Sequence, residues 1–230
     1  MNVLVACEES QTVCKAFRSI GHTSFSCDIQ DCSGGHPEWH IKSDVLAILN
    51  GNCQFVTEDG MSHYIMGKWD LIIAHPPCTY LSNAGACRMY RYINGERWIN
   101  SDRYDKMLDG REFFFKMLNA DCDKIAVENP LPLKIAKLPK ESQVIQPYEF
   151  GHPYSKRTHL WLKGLEPLKP TKILEEHVPY LPSNTSLFAK GHGGARGAIR
   201  GSKNYSKTFQ GVADAMAAQW GKEITHGDDI

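Results

Sequence analysis

The chain has 230 residues, of which 42% are hydrophobic and 23% are charged. This composition is ordinary for a globular protein, so it excludes a disordered or fibrous chain and predicts a buried core. Lysine plus arginine and aspartate plus glutamate both number 26. No overall positive charge therefore indicates a polyanionic partner, and a surface for nucleic acid would need local segregation of charge.

The eight cysteines are irregularly spaced in a chain too large to need disulfide bonds for stability. Glu8 and Glu9 interrupt the apolar N-terminal run before it reaches the length of a signal-peptide core. No stretch approaches the roughly 20 apolar residues that a membrane helix requires. We therefore expect a cytoplasmic protein with no membrane partner, either a monomer or a weak dimer.

Short apolar runs alternate with helical patterns along the first 130 residues. β-branched apolar runs bounded by turn residues are typical of buried strands, and apolar residues three or four apart are typical of helices. Gly21 marks the end of the first helical pattern, and Asp44 opens a short one. The predicted strands are 2–6, 23–27, 69–74 and 124–127, and the longer predicted helices are 10–20 and 109–119.

This alternation predicts an α/β fold with an open, mostly parallel sheet and helices on both faces. In such sheets the ligand lies beyond the carboxyl ends of the strands. Glu8, Asp28, Cys78 and Glu128 each follow a predicted strand. We therefore expect four polar side chains from distant parts of the chain to gather at one edge of the sheet.

The composition changes after residue 162. Proline-rich turns are followed by a glycine-rich stretch over 191–201, and residues 211–220 return to alanine-rich helical composition. We predict a catalytic core over 1–163, a small irregular region over 164–207, and a C-terminal helix over 208–230 that returns to the core.

Two motifs carry chemically active side chains at predicted strand ends. The sequence Pro76-Pro77-Cys78 places a thiol on a stiff turn, because each proline fixes its own φ and restricts the residue before it. Glu128, in Glu128-Asn129-Pro130, carries a carboxyl group that would need a ligand or partner if it were buried. The alternatives are a buried structural cysteine and a solvated surface glutamate. Together the two motifs indicate a nucleophile and an acid.

These motifs resemble those of the DNA (cytosine-5) methyltransferase family, in which the catalytic strand ends in Pro-Pro-Cys and the next motif is Glu-Asn. Residues 148–162 are similar to the family's Tyr-Gly-Val-Pro stretch and Gln-x-Arg-x-Arg motif, with one extra residue before Arg157 and with His159 at the second arginine. The segment 209–215 resembles the family's Gln-x-Gly-Asn-Ala-Val motif without its asparagine. The resemblance spans Val3 to Trp220 in the family's order.

The resemblance implies a Rossmann-like fold dependent on S-adenosyl-L-methionine (AdoMet), and methyl transfer to C5 of a cytosine flipped out of DNA. Cys78 would add to C6, Glu128 would stabilise the ring at N3, and Arg157 would hold the base, with His159 beside them. Methyltransferases that act on exocyclic amines have an aromatic residue after Pro-Pro. The cysteine therefore favours transfer to carbon.

The cofactor end departs from the family, because the loop over residues 6–11 contains no glycine where members carry a glycine-rich turn. Asp28 occupies the position at which such folds hold the ribose, and Asp44 resembles the acid near the adenine. The residues expected to bind AdoMet are Ala6, Cys7, Glu8, Asp28, Ile29, Asp44, His75, Pro76, Gly211 and Val212.

A third cluster contains two cysteines and two histidines, Cys27, Cys32, His36 and His40, within fourteen residues. This donor set is one that zinc accepts. The spacing fits no common zinc finger, however, and the cluster overlaps the expected ribose site. We therefore predict that it binds no metal.

Two segments have the composition of a nucleic-acid surface. Arg88, Arg91 and Arg97 are interleaved with aromatic residues directly after Cys78, which suits phosphate contacts and base stacking. The alternative is a solvated helix face with its aromatics in the core. The second segment has no acidic residue between positions 177 and 213 and contains the basic residues Lys190, Arg196, Arg200, Lys203 and Lys207.

The second segment lies where the family carries its target-recognition region, and it is much shorter. We therefore expect DNA to be the partner and the recognised sequence to be relaxed or very short. Two other functions stay open. The short region also suits a methyltransferase on a free nucleotide or single-stranded nucleic acid, and the missing glycines suit a non-catalytic nucleic-acid binder that no longer binds AdoMet.

Overall fold

The structure is a computed structural model that describes residues 1–182, 199–201 and 206–222. Within these residues the α-helices are α1 (Thr12–Ser19), α2 (Ser101–Leu118) and α3 (Gln210–Trp220). The strands are β1 (Asn2–Ala6), β2 (Thr23–Asp28), β3 (His40–Lys42), β4 (Cys53–Val56), β5 (Ser62–Ile65), β6 (Leu71–Ala74), β7 (Tyr90–Ile93), β8 (Glu96–Ile99), β9 (Ile125–Pro130), β10 (Gln143–Ile145), β11 (Tyr154–Ser155), β12 (Thr158–Lys163), β13 (Val178–Pro182) and β14 (Ile199–Gly201).

The largest sheet in the described residues has seven strands in the order β10-β12-β9-β6-β1-β2-β3. Neighbours from β9 to β3 run parallel, and β12 runs antiparallel to both β9 and β10. Numbered along the chain, the order is 3-2-1-4-5-7-6. This is the doubly wound order 3-2-1-4-5-6 with one reversed strand inserted beside the sixth. The expected Rossmann-like α/β fold is confirmed.

Helices cover both faces of this sheet, because side chains alternate between the faces along each strand. Val3 and Val5 of β1 pack with α1 and α3 in one half of the core, whereas Leu4 packs with α2 in the other half. The first helix ends as the sequence predicted, with Gly21 at φ 91° just beyond it. The sheet is therefore buried on both sides, as a parallel sheet requires.

Helix α2 begins at Ser101, eight residues before the predicted start. Its inner face continues toward the N-terminus through the buried Arg103 and Met107, in line with Phe114 and Met117. Because Arg103 is charged, a pattern of apolar residues at helical spacing does not extend to this part of the helix. At Asp44 the predicted helical stretch is a single 3₁₀ turn over Val45–Ala47, which the Asp44 carboxylate caps by accepting the Leu46 N–H at 3.0 Å.

Two hairpins were not predicted. One is β4–β5, and the other is β7–β8, which holds Arg91 and Arg97 and turns at Asn94 and Gly95, both with positive φ. The alternative of a helix face for this basic, aromatic segment is therefore wrong. Farther along, β13 and β14, which lie in the region expected to be irregular, form a small parallel sheet with β11 of the predicted core. No helix in the described ranges is long and apolar enough to cross a membrane.

Candidate active site

The turn after β6 is fixed by backbone hydrogen bonds at both ends. The His75 N–H donates to the Ala6 carbonyl at 2.9 Å, which joins this turn to the end of β1. The Cys78 carbonyl accepts from the Leu81 and Ser82 N–H groups at 3.1 and 2.8 Å. These three bonds fix both ends of the backbone segment 75–78, which carries Cys78. The thiol is consequently held at the carboxyl end of the parallel strands, where the sequence placed it.

The loop that follows Cys78 is tied to α2 by Arg103. Its guanidinium Nη2 donates to the Thr79 carbonyl at 2.8 Å and lies so close to Gly85 that a Cβ there would be 2.1 Å away. The guanidinium also lies over the Tyr80 ring, 5.0 Å from its centroid. The sequence pattern does not point to Arg103, because a lone arginine in a helical pattern is usually a solvated one.

Glu128 lies near the end of β9, which is the neighbour of β6, and it faces His75. The His75 Nδ1 is 3.4 Å from the Glu128 Oε2, and the two side chains are only 11% and 17% exposed. Burial by itself would raise the pKa of Glu128, but the His75 hydrogen bond and the Lys156 charge outweigh it and leave that pKa below its ordinary value. The carboxyl group is therefore held in its ionised form.

Lys156, which was not among the predicted site residues, lies with His75, Glu128 and Thr158 around a narrow cavity beneath α3. Burial lowers the pKa of Lys156, and the Glu128 and Cys78 charges oppose that effect. The pKa of Cys78 is raised by burial and by Glu128, and Lys156 lowers it. A thiol, a carboxylate and an ammonium group thus influence one another at the ends of adjacent strands.

Arg157 and His159 do not join this group. Arg157 is exposed. His159 is buried, and its Nδ1 lies 3.5 Å from the Glu141 carboxylate. Across the β9–β12 ladder His159 is opposite Asn129, whereas Glu128 is opposite Leu160, so His159 and Glu128 emerge on different faces of the sheet. The alternation of side chains along the strand could have identified Lys156, because it shares a face with Thr158.

A cleft of about 340 Å³ opens at the carboxyl ends of β1, β2 and β3. Four of the residues expected to bind AdoMet line it, Cys7, Asp28, Ile29 and Asp44. Val45, Pro77 and Phe113 add apolar walls, and the remaining lining residues are Cys27, Gln30 and Ser43. The volume is that of a small-molecule site, and apolar walls with a few polar groups are typical of one.

The glycine-free loop makes its turn with other residues in the left-handed conformation, Cys7 at φ 59° and Gln11 at φ 57°. The Glu8 carboxylate accepts the Val13 and Cys14 N–H groups at 2.7 and 3.2 Å. It thereby satisfies the first-turn donors of α1, which in many dinucleotide-binding folds face a phosphate. Burial raises the pKa of Glu8, and the two N–H groups and His75 oppose that effect.

The other expected cofactor residues lie elsewhere. Ala6 and Pro76 are buried, and Val212 lines the narrow cavity beside His75. The Gly211 N–H donates to His152 Nε2 at 2.8 Å, and a Cβ on Gly211 would lie 2.0 Å from the Phe150 carbonyl oxygen. Glu8 and Gly211 therefore use their polar groups within the protein rather than in the cleft.

The cysteines and histidines of the 27–40 cluster each have a separate protein partner. The Cys32 thiol donates to Gln11 Oε1 at 2.9 Å, and the Cys27 thiol donates to the Ser43 carbonyl at 3.4 Å. The remaining pairs are His36 Nδ1 with Glu38 Oε1 at 2.9 Å and His40 Nδ1 with Ser26 Oγ at 2.8 Å. Over the described ranges, no three such side chains are grouped so that they could hold a metal ion.

The β7–β8 hairpin, called the ribbon below, is exposed from Arg91 to Ile99. Tyr92 is 73% exposed and Trp98 is 54% exposed, so both aromatic side chains face solvent. The Arg97 guanidinium lies 4.2 Å from the centroid of the Tyr90 ring, and Arg88 is also exposed. The ribbon, which begins twelve residues beyond Cys78, therefore presents cations and aromatic rings together.

The second basic segment is described only in part. Lys207 Nζ is 3.0 Å from Ser33 Oγ and 3.9 Å from Glu9 Oε2, so it contacts the loops after β2 and β1. Arg200 is in β14, for which the structure gives the course of the backbone. Lys190, Arg196 and Lys203 lie outside the described residues.

No family model matches the chain, and no curated protein matches it. Among solved structures it is similar to a prophage-encoded protein of E. coli described as a DNA modification methyltransferase, with 12% identity and a TM-score of 0.42. That match covers 81% of this chain and 58% of the other. It is also similar to a mutant of Spodoptera frugiperda DNMT2, with 19% identity and a TM-score of 0.34, over 79% and 55% of the two chains. The chain spans little more than half the length of either.

Proposed function

We propose that this protein transfers a methyl group from AdoMet to C5 of cytosine in DNA, with Cys78 as the nucleophile. One observation carries the proposal. The Cys78 thiol, the Glu128 carboxylate and the Lys156 ammonium group influence one another electrostatically at the carboxyl ends of β6 and β9, beside a cleft of nucleoside size. This is the arrangement that covalent activation of a pyrimidine ring requires.

The residues of the cleft fit the nucleoside part of AdoMet. Asp28 ends β2, where Rossmann-like sheets bind ribose hydroxyls, and its Oδ1 accepts the Gln30 N–H at 2.9 Å. Asp44 supplies a second carboxylate, and Val45, Pro77 and Phe113 would contact the adenine. AdoMet, when bound, supplies the methyl group as an electrophile.

C5 of cytosine is too weak a nucleophile to take a methyl group unaided, so the ring must first be activated. When the Cys78 sulfur bonds to C6, the electrons of the C5–C6 double bond move to C5. A proton from Glu128 at N3 favours this addition. Lys156, rather than Arg157, supplies the positive charge that stabilises the thiolate and the ring. Loss of the C5 proton then restores the double bond and expels the sulfur.

Trapping on a fluorinated base tests this mechanism. With 5-fluorocytosine in the DNA, the C5 substituent cannot leave as a proton, so protein, methyl group and base should stay joined through denaturing electrophoresis. Cys78→Ser should abolish methyl transfer and trapping, whereas Cys87→Ser, which changes an exposed cysteine of the same loop, should retain both. The proposal would fail if Cys78→Ser still transferred methyl groups, or if the product carried its methyl group on an exocyclic nitrogen.

A second candidate substrate is single-stranded nucleic acid, and the ribbon favours it. Exposed aromatic rings beside arginines are typical of surfaces that stack on unpaired bases. Trapping efficiency on the same fluorinated cytosine in single-stranded and duplex DNA distinguishes the two substrates. In both cases AdoMet should raise the melting temperature, because it binds the folded state, and no shift at millimolar AdoMet would contradict the cofactor assignment.

A further inference from the structure

His75 is the residue of the site for which the proposed reaction has so far given no role. It lies between the end of β6 and the Pro76-Pro77 turn, and its backbone is bonded to Ala6. Its side chain is 11% exposed, with Nδ1 directed at Glu128. The other ring nitrogen, Nε2, is buried and has no hydrogen-bond partner within the described residues. The imidazole also lines the narrow cavity with Lys156 and Val212.

Charged groups face this imidazole from several elements. Glu8, from the loop between β1 and α1, interacts electrostatically with His75, and Glu128 approaches it from β9. Lys156 lines the same cavity from the segment between β11 and β12, and Cys78 follows on the same turn. The lining residues contributed by α3 and the segment before it are Ser206, Thr208, Phe209, Val212 and Met216, of which none titrates near neutral pH. Two buried carboxylates thus flank one imidazole.

The proposed reaction makes a demand on Glu128 that its surroundings oppose. Glu128 must carry a proton to give to N3, yet His75 and Lys156 favour its ionised form. We propose that His75 and Glu128 act as one acid that shares a single proton, with His75 as the group that holds the proton until the base is bound. This inference rests on the proposed function and adds a catalytic role for His75.

The proton balance is simple. One proton moves: it passes from Nδ1 of charged His75 to Glu128 Oε2, and Glu128 passes a proton on to N3 of the ring, which leaves His75 neutral and Glu128 again ionised. On elimination the proton returns from N3 through Glu128 to His75 Nδ1. The pair gains and loses no proton over the cycle, and the proton lost from C5 is the one released. The 3.4 Å contact is long for a hydrogen bond, and such contacts in a free enzyme often shorten in the complex.

The shared proton can be tested without substrate or cofactor. Carbon-13 NMR follows the Glu128 carboxyl group as pH changes, with Glu128→Gln identifying its signal. His75→Asn keeps a hydrogen-bond donor near the Nδ1 position and removes the imidazole, whose hydrogen bond and charge lower the pKa of Glu128, so it should raise that pKa. His36→Asn is the matched control, because His36 also contacts a glutamate through Nδ1, at 2.9 Å, but on the surface. An unchanged Glu128 titration in His75→Asn would overturn the inference.

The pH dependence of trapping tests the catalytic role. In wild type the single-turnover rate should rise with pH at the acid end, as Cys78 ionises, and level off once the pair loses its proton. In His75→Asn the gain of Cys78 thiolate and the loss of protonated Glu128 should cancel at every pH that lies between the pKa values of these two groups. The profile would then be flat and, near neutral pH, at least about tenfold lower than in wild type.

A His75→Asn protein with the wild-type profile would show that His75 only positions Glu128, and would overturn the inference alone. The NMR titrations could show that the pKa of Glu128 depends on His75 while the wild-type protein forms no adduct on any DNA. That combination would overturn the proposed function and, with it, the role of the pair as an acid. The two failures are therefore distinguishable.

Discussion

Lys156 and Arg157 are adjacent cations in entirely different surroundings. Lys156 is enclosed with Glu128 and Cys78, whereas Arg157 is exposed. The family motif has an arginine at this position. In the structure, the direction in which each side chain leaves the backbone decides which of the two cations lies near Cys78. Lys156, unlike the exposed Arg157, is therefore placed to lower the pKa of the Cys78 thiol.

Alkylation of Cys78 should distinguish them. Lys156→Met should slow reaction of Cys78 with iodoacetamide at pH 8, because it removes the charge that lowers the thiol pKa, and Glu128→Gln should speed it. Changes up to about tenfold are expected, since one pKa unit changes the thiolate fraction by that factor. Mass spectrometry of the Cys78 peptide measures the rate. An Arg157→Met protein that slowed as much as Lys156→Met would contradict this assignment.

Gly211 is constrained by its neighbours, not by its φ angle. Since a Cβ would lie 2.0 Å from the Phe150 carbonyl oxygen, Gly211→Ala should cost more than about 2 kcal/mol of unfolding free energy. Gly110→Ala, within α2, meets nothing closer than 3.5 Å and should stabilise by about 0.5–1 kcal/mol. Denaturant unfolding of the two variants measures the difference. Equal effects would show that α3 does not pack as described.

At the scale of elements, the ribbon differs from the other hairpin in what its exposed side chains offer. Both hairpins carry exposed aromatic residues, but β4–β5 also places Phe55 and Ile65 in the core. The ribbon is exposed from Arg91 to Ile99, and its first residue, Tyr90, is partly buried next to Met89. A two-stranded ribbon of this kind contributes little to stability, so its side chains are free to serve binding.

Replacing Tyr92 and Trp98 by Ser should weaken binding to single-stranded DNA and leave the melting temperature nearly unchanged. Stacking of a base on an aromatic ring contributes about 1–3 kcal/mol, so each substitution should cost about 5- to 150-fold in affinity. Fluorescence anisotropy measures the binding. Tyr64→Ser, on β4–β5 and 58% exposed, is the control. If the control weakened binding equally, the ribbon would not be the contact surface.

The sequence predicted β1, β2, β6 and β9 because their apolar runs are buried on both faces of the sheet and end at clear turn signals. It predicted α1 because apolar residues recur there at helical spacing. The hairpins were missed because neither has a long apolar run. In the ribbon the Asn94-Gly95 turn was the available signal, since this pair favours a two-residue hairpin. Strand β3 has only three residues, too few for a pattern.

The candidate site was also predictable only in part from the sequence. Cys78, Glu128 and Asp28 sit at the predicted strand ends. The roles of Glu8 and Gly211 in the structure depend on contacts with α1 and His152, which no local pattern contains. His159 was selected by motif position, but the register of β12 against β9 directs it to the other face. Long-range register is what the sequence alone did not provide.

At the scale of the whole molecule, a half-buried histidine links stability to pH. His152 accepts the Gly211 N–H through Nε2, which requires a neutral ring, and burial lowers its pKa below the ordinary 6.5. The unfolded chain therefore binds a proton that the folded protein does not. The stabilising contribution is fully present above about pH 6.5 and is lost as pH falls through the folded-state value.

Wild type should consequently lose more unfolding free energy between pH 7.5 and 5.5 than His152→Gln, whose amide oxygen can accept the same N–H without titrating. One proton limits the slope to about 1.4 kcal/mol per pH unit, and the effect should be well below that because His152 is only half-buried. Urea unfolding across this range tests it. Parallel curves for the two proteins would exclude His152 as the titrating group.

The packing of α3 against α1 also has a consequence for how the protein is made. The apolar residues of β1 and α1 are covered by α3, which follows about 190 residues later in the chain. At roughly 5–20 residues per second, a ribosome needs about 10–40 s to synthesise that interval. During this time the nascent chain exposes the apolar residues of β1 and α1 that belong to this half of the core. A chaperone would bind to this face, and premature termination would leave its apolar surface exposed to solvent.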